Sequence, residues 1–263
     1  MRNVVKGFIT LSLVGIATAV AAQSTATQTG KNFEPYSGQP GKDVVWVPTP
    51  EALVAKMLDM AKVTAKDFVM DLGSGDGRTV IAAAKRGARA QGIEYNPDMV
   101  ALSKKNAEAA GVSGLATFVE ADLFKSDFSK ADVVTMFLLP SINMRLRPQI
   151  LEMKPGTRIV ANTFSMEDWE ADETETIANC TSWCTALLWI VPAKVEGTWQ
   201  MPGGQVLTLT QKFQQVSGTL GSTAITAAKL NGAQLNFTAG TTKYTGTVNG
   251  STITGTGWTA TRR

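Results

Sequence analysis

Apolar and polar positions follow two alternating patterns along residues 46–194. Short apolar runs predict buried strands at 68–72, 90–95, 116–120, 132–139 and 158–163. Stretches with helical spacing begin at Thr49-Pro50-Glu51 and recur at 77–86, 96–110 and 144–153. Asn96-Pro97-Asp98 is predicted to cap the third of these helices. Strands that alternate with helices predict an α/β fold, in which a parallel sheet is covered on both faces.

The end of this region follows a different pattern. Residues 176–192 have no helix before their second apolar run, so they predict an antiparallel hairpin at the end of the sheet. Cys180 and Cys184 lie in this hairpin, and in an exported protein this favours a disulfide across the turn. Two free buried thiols are the alternative. A redox role is disfavoured because the C-x-x-C spacing is absent.

Residues 195–263 have another composition, rich in threonine and glycine and almost without helical periodicity. Turn signals recur at short spacing, at Gly203-Gly204, Asn231-Gly232 and Asn249-Gly250. Alternating runs between them predict a small all-β antiparallel module of about six to eight strands. We therefore place a boundary near 194–196, between a domain at 46–194 and a β module at 195–263.

The N-terminus has the pattern of a targeting segment. Arg2 and Lys6 precede an uncharged stretch that ends in the small residues Ala19-Val20-Ala21-Ala22. This layout predicts a cleaved signal peptide over 1–22 and a periplasmic or secreted protein. The alternative is a membrane anchor with the rest facing outward, although a helix of this length is short for a bilayer. Residues 23–45 are polar and turn-rich, and are interpreted as an extended arm.

Composition excludes several kinds of chemistry. The 263 residues contain no histidine, which excludes a Ser-His-Asp triad and any histidine-containing zinc site. Two cysteines cannot form a four-cysteine site, so no metal is expected. The net charge of +3 is too small to indicate nucleic acid as the main partner.

A glycine-rich turn carries the candidate chemistry. It reads D-x-G-x-G-x-G from Asp71 to Gly77 and joins a predicted strand to a helix. A dinucleotide fingerprint would need a glycine where this chain has Arg78. Acids in the turn would repel a pyrophosphate but suit a cationic ligand, such as S-adenosylmethionine (SAM). The predicted cofactor residues of the turn are Asp71, Gly73, Ser74, Gly75 and Gly77.

Two more acids follow the next two strands. Glu94 ends the second strand beside Tyr95, and a carboxylate there can accept both ribose hydroxyls. Asp122 follows the third strand, where it can accept from the adenine amino group, with Leu123 beside the ring. The alternative is a doubly wound domain that uses these acids as helix caps.

Over about residues 46–175 the chain resembles the class I SAM-dependent methyltransferases. Within them it resembles a protein-lysine methyltransferase family that modifies the mitochondrial ATP-synthase c-subunit and the adenine nucleotide translocase. The similar stretches are Val47–Pro50, Asp71–Arg78, Gly92–Pro97, Asp122–Phe124, Leu139-Pro140 and Arg158–Asn162 with Phe164 and Trp169. The resemblance implies a seven-stranded Rossmann-like sheet of order 3-2-1-4-5-7-6. It also implies an acceptor site over the carboxyl ends of strands four and five.

This chain departs from that family in three respects. It has a predicted export signal and a predicted β module, and its predicted fourth strand is followed by Leu138-Leu139-Pro140-Ser141 without an acid. The last feature lacks the Asn-Pro-Pro-Tyr-type signature of amide and adenine methyltransferases, which argues against a nucleic-acid substrate and also leaves the lysine substrate open.

Methyl transfer by in-line displacement needs a neutral nucleophile and close alignment, so no general base is required. We predict Asn162 as a catalytic hydrogen-bond acceptor. The predicted apolar walls of the acceptor site are Trp46, Leu139, Pro140, Phe164 and Trp169. Core packing is the alternative role for Phe164 and Trp169. Six acids between 167 and 175 either attract a lysine-bearing segment or form a solvated loop and helix start.

The predicted function is that of an exported methyltransferase acting on protein lysine. The alternatives are a methyltransferase for a small molecule or lipid, and an exported binding protein that kept the fold without turnover. The binding protein is an alternative because SAM is made in the cytosol, and the sequence indicates no source of SAM for an exported enzyme. The β module could dock an envelope partner.

Overall fold

A computed structural model describes residues 33–263. The predicted signal peptide (1–22) and the first part of the predicted arm (23–32) lie outside the described residues. Within residues 33–263, each helix is too short or too polar to cross a bilayer.

The α/β part follows the predicted alternation of strands and helices. Its elements are α1 (Glu51–Met60), β1 (Phe68–Leu72), α2 (Arg78–Lys85), β2 (Arg89–Glu94), α3 (Pro97–Ala109), β3 (Ala116–Glu120), β4 (Val133–Met136), α4 (Pro140–Leu151), β5 (Arg158–Asn162), β6 (Glu173–Thr176) and β7 (Thr185–Ile190). The Asn96 side chain caps α3 as predicted, by accepting hydrogen bonds from the amides of Asp98 and Met99.

These strands form one sheet in the order β3-β2-β1-β4-β5-β7-β6, which confirms the predicted order. Strands β1 to β5 pair in parallel, and β7 is antiparallel to both β5 and β6. The carboxyl ends of β1 to β5 therefore meet at one edge of the sheet. Strands β2 and β3 are added on one side of β1, and β4 and β5 on the other, so the strand order switches between β1 and β4. That edge is where open α/β sheets bind ligands.

Successive residues of the central strands pack into different apolar clusters, because neighbouring side chains on a strand point to opposite faces. Val69, Val133 and Val160 join the residues of α1, α2 and α3 in one cluster. Their neighbours Met70 and Val134 join the residues of α4 in the other. The sheet is thus covered on both faces, as predicted.

Two helix starts differ from the prediction. Helix α1 begins at Glu51 with Pro50 in the N-cap position, and Thr49 does not cap it. The Thr49 hydroxyl instead accepts a hydrogen bond from the Asn162 amide at 3.2 Å. Helix α4 begins at Pro140 rather than Met144, because proline fits the first turn of a helix without losing a backbone hydrogen bond.

Residues 38–46 fold back on themselves instead of extending. The Gly38 amide donates to the Trp46 carbonyl at 2.8 Å, and the Trp46 amide donates to the Gln39 carbonyl at 2.9 Å. The interpretation of 23–45 as an extended arm is therefore wrong for these residues. Their glycines and proline form a turn whose backbone groups pair locally.

The acidic stretch is not a helix start. Strand β6 lies within it, and Glu175 pairs with Ala186 while Thr176 pairs with Thr185 of β7. The free edge of β7 offers backbone partners to an otherwise polar segment, which outweighs its low strand propensity. The turn between β6 and β7 carries a disulfide between Cys180 and Cys184, so the predicted disulfide is confirmed.

The β module is a closed barrel of eight antiparallel strands. They are β8 (Gly197–Gln200), β9 (Val206–Lys212), β10 (Gln215–Leu220), β11 (Thr223–Asn231), β12 (Gln234–Ala239), β13 (Thr242–Asn249), β14 (Thr252–Gly255) and β15 (Trp258–Arg262). Pairing of β15 with β8 closes the barrel and removes its free edges. Leucine side chains such as Leu207, Leu230 and Leu235 are fully buried in its interior.

The barrel contacts the loop that follows β5. The Phe213 ring stacks on the Trp169 ring with a centroid distance of 5.6 Å. Lys212 Nζ lies 3.3 Å from Asp168 Oδ2, and the Gln214 amide donates to the Glu170 carbonyl at 2.8 Å. Residues 34–263 accordingly form one compact unit.

Candidate active site

The glycine turn between β1 and α2 lies at the carboxyl edge of the sheet and lines a pocket there. Gly75 has a φ of +53°, and a Cβ on it would lie 2.3 Å from Nε1 of Trp46. Gly77 has a φ of +82°, and a Cβ there would lie 2.7 Å from the Phe118 ring. Both positions therefore need glycine, for the backbone conformation and for the close approach of an aromatic ring.

Side chains of α3 hold the turn in place. The buried Ser103 hydroxyl donates to the Gly75 carbonyl at 2.7 Å, and the Asn106 amide donates to the Asp76 carbonyl at 3.0 Å. Arg78 pairs with Asp76 and also donates to the Thr49 carbonyl at 2.8 Å. Except for the pair of Arg78 with Asp76, local sequence patterns carry no signal for these contacts, because they join segments far apart along the chain.

Glu94 lies at the end of β2 with its carboxylate against the turn. One oxygen accepts from the Gly75 amide at 2.9 Å, and the other accepts from the Asn96 amide at 2.9 Å. Two backbone donors thus fix the orientation of the carboxylate. Each oxygen retains a lone pair, so the carboxylate can still accept hydrogen bonds from a pair of ligand hydroxyls.

Asp71 is buried at the end of β1 and accepts a hydrogen bond from the Thr135 hydroxyl at 2.7 Å. Burial raises the pKa of Asp71 to about 7, and the charges of Glu94 and Asp76 act in the same direction. Hydrogen bonds from Thr135 and Thr79 partly oppose this rise in the pKa. A cation bound nearby would favour the ionised carboxylate.

Asp122 follows β3 and is paired with a residue of the folded-back loop. Its Oδ2 accepts from Lys42 Nζ at 2.7 Å, and its Oδ1 accepts from the Phe124 amide at 3.0 Å. The hydrogen bond with Lys42 lowers the pKa of Asp122 and raises the pKa of Lys42. Lys42 Nζ also lies 4.7 Å from the centre of the Tyr95 ring. No local pattern in the sequence indicates this role of Lys42.

The residues of this pocket fit SAM. Five carboxylates line it, from Asp43, Asp71, Asp76, Glu94 and Asp122, and they suit a cationic ligand with a ribose diol. The Ser74 hydroxyl is buried with no hydrogen-bond partner among the described residues, so it is free to bond a ligand. Ile93, Leu123 and Leu138 supply apolar walls for an adenine ring.

Asn162 does not lie where a nucleophile could reach it. It is fully buried, its amide nitrogen donates to the Thr49 hydroxyl, and its oxygen accepts from the Thr163 hydroxyl at 2.9 Å. The predicted role as a catalytic hydrogen-bond acceptor is therefore corrected. Asn162 joins the end of β5 to the segment before α1, which makes it a positioning residue.

The predicted apolar walls are divided among three places. Trp46 lines the pocket, whereas the α4 side of the pocket is formed by Phe137, Leu138 and Ile142. Leu139 and Pro140 do not line it, and Leu139 is exposed to solvent. The chain enters α4 at Pro140. Phe137 and Leu138, just before the helix, and Ile142, in its first turn, therefore face the pocket, whereas Leu139 and Pro140 do not.

Trp169 belongs to the core. It is fully buried, with its ring centre 6.3 Å from that of Trp189 and stacked on Phe213. The assignment of Trp169 to the acceptor wall is therefore wrong, and its alternative role in core packing is correct. Phe164 is partly exposed, and its ring stacks on that of Phe137 at a centroid distance of 5.8 Å.

Several of the six acids have partners within the chain. Asp168 pairs with Arg147 at 2.6 Å as well as with Lys212 of the barrel. Asp172 accepts a hydrogen bond from the Ile190 amide at 2.8 Å, and Glu175 lies 3.8 Å from Lys56. The stretch is thus partly a structural connection between the sheet, α1 and the barrel.

The fold and this site define a class I SAM-dependent methyltransferase. The ANTKMT methyltransferase domain matches residues 71–173. A protein-lysine N-methyltransferase of Saccharolobus islandicus is 45% identical over 133 residues, covering 49% of this chain and 83% of that protein. The human lysine N-methyltransferase of the ATP synthase c-subunit is 34% identical over 169 residues, covering 63% of this chain and 69% of that protein. The chain belongs to this family of SAM-dependent lysine methyltransferases.

A solved structure is also similar. It is described as an RNA methyltransferase from Salinibacter ruber in complex with S-adenosylhomocysteine. It is 45% identical, with a TM-score of 0.54, and the match covers 57% of this chain and 96% of that chain. The cofactor of the present chain is accordingly SAM. The match to the ANTKMT domain ends at residue 173, before the barrel begins at Gly197.

The raised pKa of Asp71 predicts that SAM binding strengthens with pH. Between pH 6 and pH 8 a carboxyl with a pKa of about 7 changes from mostly neutral to mostly ionised. If a bound cation requires the ionised form, we expect the affinity for SAM to rise about tenfold over this range. Calorimetric titration checks this, with Asp71→Asn as a control that should abolish the rise. Equal pH dependence in both proteins would contradict the prediction.

The same group predicts how stability changes with pH. The pKa of Asp71 in the folded protein lies above its ordinary value of 3.8, so the folded state favours the neutral form. The free energy of unfolding therefore falls as pH rises from about 4 through about 7. Asp71→Asn should raise the melting temperature at pH 8 and change it little at pH 4. A variant less stable than the parent at pH 8 would oppose this expectation.

Proposed function

We propose that this protein transfers a methyl group from SAM to a lysine side chain of another protein. The observation that carries the proposal is the charge of the segment beside the acceptor end of the sheet. Residues 159–193 contain six acids and no lysine or arginine. Three of these acids, Glu167, Glu170 and Glu173, are exposed and form no ion pair within residues 33–263. Unpaired surface carboxylates attract an amine-bearing segment and repel a phosphate backbone. The lysine substrates named for the relatives support the same class of acceptor.

The transfer is an in-line displacement in this proposal, for which bound SAM would supply a methyl group on a sulfonium cation. The acceptor amine would lose a proton to water, its nitrogen would bond to the methyl carbon as the bond from that carbon to sulfur breaks, and S-adenosylhomocysteine would leave. The acceptor amine must be neutral, and neutralising a free lysine at pH 7 costs about 4.6 kcal/mol. Removal of the amine from water lowers its pKa and reduces this cost. The apolar residues Phe137, Leu138 and Ile142 line the α4 side of the pocket and would exclude that water.

A labelled-methyl assay tests the acceptor class. The purified chain is incubated with SAM labelled in the methyl group and with envelope extract from the source organism. We expect label in protein, recovered as Nε-methyl-lysine, that survives ribonuclease and is lost when lysines are acetylated beforehand. Label recovered in RNA, lipid or a small molecule would overturn the proposal. Glu94→Ala serves as the variant with impaired cofactor binding.

The place of action in this proposal is outside the cytosol, either in the periplasm or beyond the cell. The charged and then apolar N-terminal pattern supports export. The disulfide between Cys180 and Cys184 is compatible with an oxidising compartment. Fractionation of the source cells followed by N-terminal sequencing tests this. A chain that begins at Gln23 outside the cytosol is expected, and an uncleaved cytosolic chain would contradict export.

A further inference from the structure

Three aromatic rings meet beside the cofactor pocket, and we call them the aromatic triad: Phe137, Phe164 and Trp183. The centre of the Trp183 ring lies 5.6 Å from that of Phe137 and 5.4 Å from that of Phe164. Trp183 is tilted by 59° and 51° to these two rings, which stack on one another. The rings therefore form a corner rather than a flat layer.

The position of the triad relates it to the reaction. Phe137 follows β4 and also lines the cofactor pocket, so the triad is continuous with that pocket. Phe164 follows β5 by two residues, which places it at the same edge of the sheet. A methyl acceptor must approach the cofactor at this edge, and it would meet the triad there.

Trp183 is held in the triad by a small covalent ring. The disulfide between Cys180 and Cys184 encloses it, and its own φ is +58°. The Ile177 amide donates to the Cys184 carbonyl at 3.0 Å, which ties the loop to the end of β6. A tryptophan with a positive φ is uncommon, and strained residues of this kind concentrate at functional sites.

Burial does not account for this arrangement. Trp183 remains 38% exposed, whereas Trp169, Trp189 and Trp199 are fully buried. A tryptophan at such a position buries less apolar surface than the other three, because more than a third of its surface stays in water. The ring is thus constrained by the backbone and the disulfide while one part of it remains available for contact.

We propose that the aromatic triad receives the alkylammonium end of the acceptor side chain, and that Trp183 is a specificity-determining residue. The proposal rests on the proposed lysine methylation. Aromatic faces carry negative potential and attract a cation, most strongly at tryptophan. The triad would thus receive the protonated amine, which loses its proton to water before its nitrogen attacks the methyl group in the pocket. A corner of rings admits a slender alkyl chain from the open side. The acidic, lysine-free and arginine-free segment 159–193, to which two rings of the triad belong, favours a cation over a nucleic acid.

Binding of an unreactive probe tests the triad separately from turnover. The probe is Nα-acetyl-trimethyl-lysine amide, compared with its uncharged analogue in which a tert-butyl group replaces the trimethylammonium. Binding is measured with the full chain and S-adenosylhomocysteine present. We expect the parent protein to prefer the charged probe, and Trp183→Leu to weaken that probe about tenfold. The uncharged analogue should bind weakly to both proteins.

Three further variants separate contact from folding. Trp183→Phe should recover part of the affinity, because it restores an aromatic face. Cys180→Ser/Cys184→Ser should weaken the probe by an intermediate factor, because the ring is no longer fixed by the disulfide. Ser182→Ala changes the same loop outside the triad and should have no effect. Affinity for S-adenosylhomocysteine should stay unchanged in all four variants. Melting temperature should change little in the three variants that keep the disulfide and should fall in Cys180→Ser/Cys184→Ser, because the cross-link no longer restricts the unfolded chain.

The outcomes distinguish this inference from the proposed function. If lysine is methylated but Trp183→Leu changes neither probe affinity nor the KM for protein, the triad is not the acceptor site. If the probe does not bind the parent protein, the inference is overturned as well. If Trp183→Leu weakens a single-stranded RNA and not the probe, the triad stacks bases and both statements fail. Charge-dependent probe binding without lysine methylation would support the triad and overturn the proposed function.

Discussion

Replacement of Glu94 by alanine is expected to weaken SAM binding by about 100- to 1,000-fold while the protein stays folded. The carboxylate can accept both ribose hydroxyls, and a hydrogen bond to a charged group contributes about 1.5–3 kcal/mol. Its own oxygens are fixed by the amides of Gly75 and Asn96, so little ordering is needed on binding. Calorimetric titration with SAM and with S-adenosylhomocysteine measures the effect.

The control for this experiment lies on the next strand. Glu120 is the register partner of Glu94 on β3 and is exposed, so Glu120→Ala should leave SAM affinity unchanged. Glu94→Gln should give an intermediate loss, because the amide keeps one acceptor oxygen. If Glu94→Ala binds SAM as tightly as the parent protein, the ribose assignment is wrong.

Replacement of Trp169 by alanine is expected to lower the free energy of unfolding by about 3–5 kcal/mol. The ring is fully buried between Trp189 and Phe213, and its loss leaves a cavity where the barrel contacts the sheet. For a protein of this size, such a loss lowers the melting temperature by roughly 10 °C. Thermal unfolding followed by circular dichroism measures it.

Comparison of Trp169→Ala with Trp183→Leu tests whether Trp169 acts in core packing rather than in acceptor binding. At a temperature where both variants are folded, Trp169→Ala should leave the KM for the protein acceptor near its original value. Trp183→Leu should raise the KM for the protein acceptor and leave the melting temperature nearly unchanged. A raised KM with unchanged stability for Trp169→Ala would restore Trp169 to the acceptor wall.

Most of the fold follows from local patterns. The strands β1 and β3 and the capped helix α3 lie where apolar runs and Asn96 predict them. The errors fall where long-range pairing decides. The edge strand β6 consists of polar residues that pair with β7, and closure of the barrel depends on pairing of β15 with β8. Neither partner can be read from a local window of sequence.

The cofactor side of the site could be predicted better than the acceptor side. Gly75, Glu94 and Asp122 each follow a strand, and parallel strands bring their carboxyl ends to one edge of a sheet. No comparable rule places the acceptor residues, because they lie in loops whose course depends on packing. Trp169 and Phe164 are both aromatic and follow the same strand, yet one is in the core and the other is in the triad.

Local spacing along the chain was sufficient for the alternation of strands and helices, the glycine turn and the acids at the strand ends, because it encodes element type and turn chemistry. The order of the strands in the sheet was implied by the family resemblance and not by spacing. Three-dimensional packing was needed to show that Lys42 pairs with Asp122 and that Trp183 joins two phenylalanines. It was also needed to show that Asp71 is buried with a raised pKa. These properties depend on which distant segments pack together, since burial and ring contact arise from neighbours in space rather than along the chain.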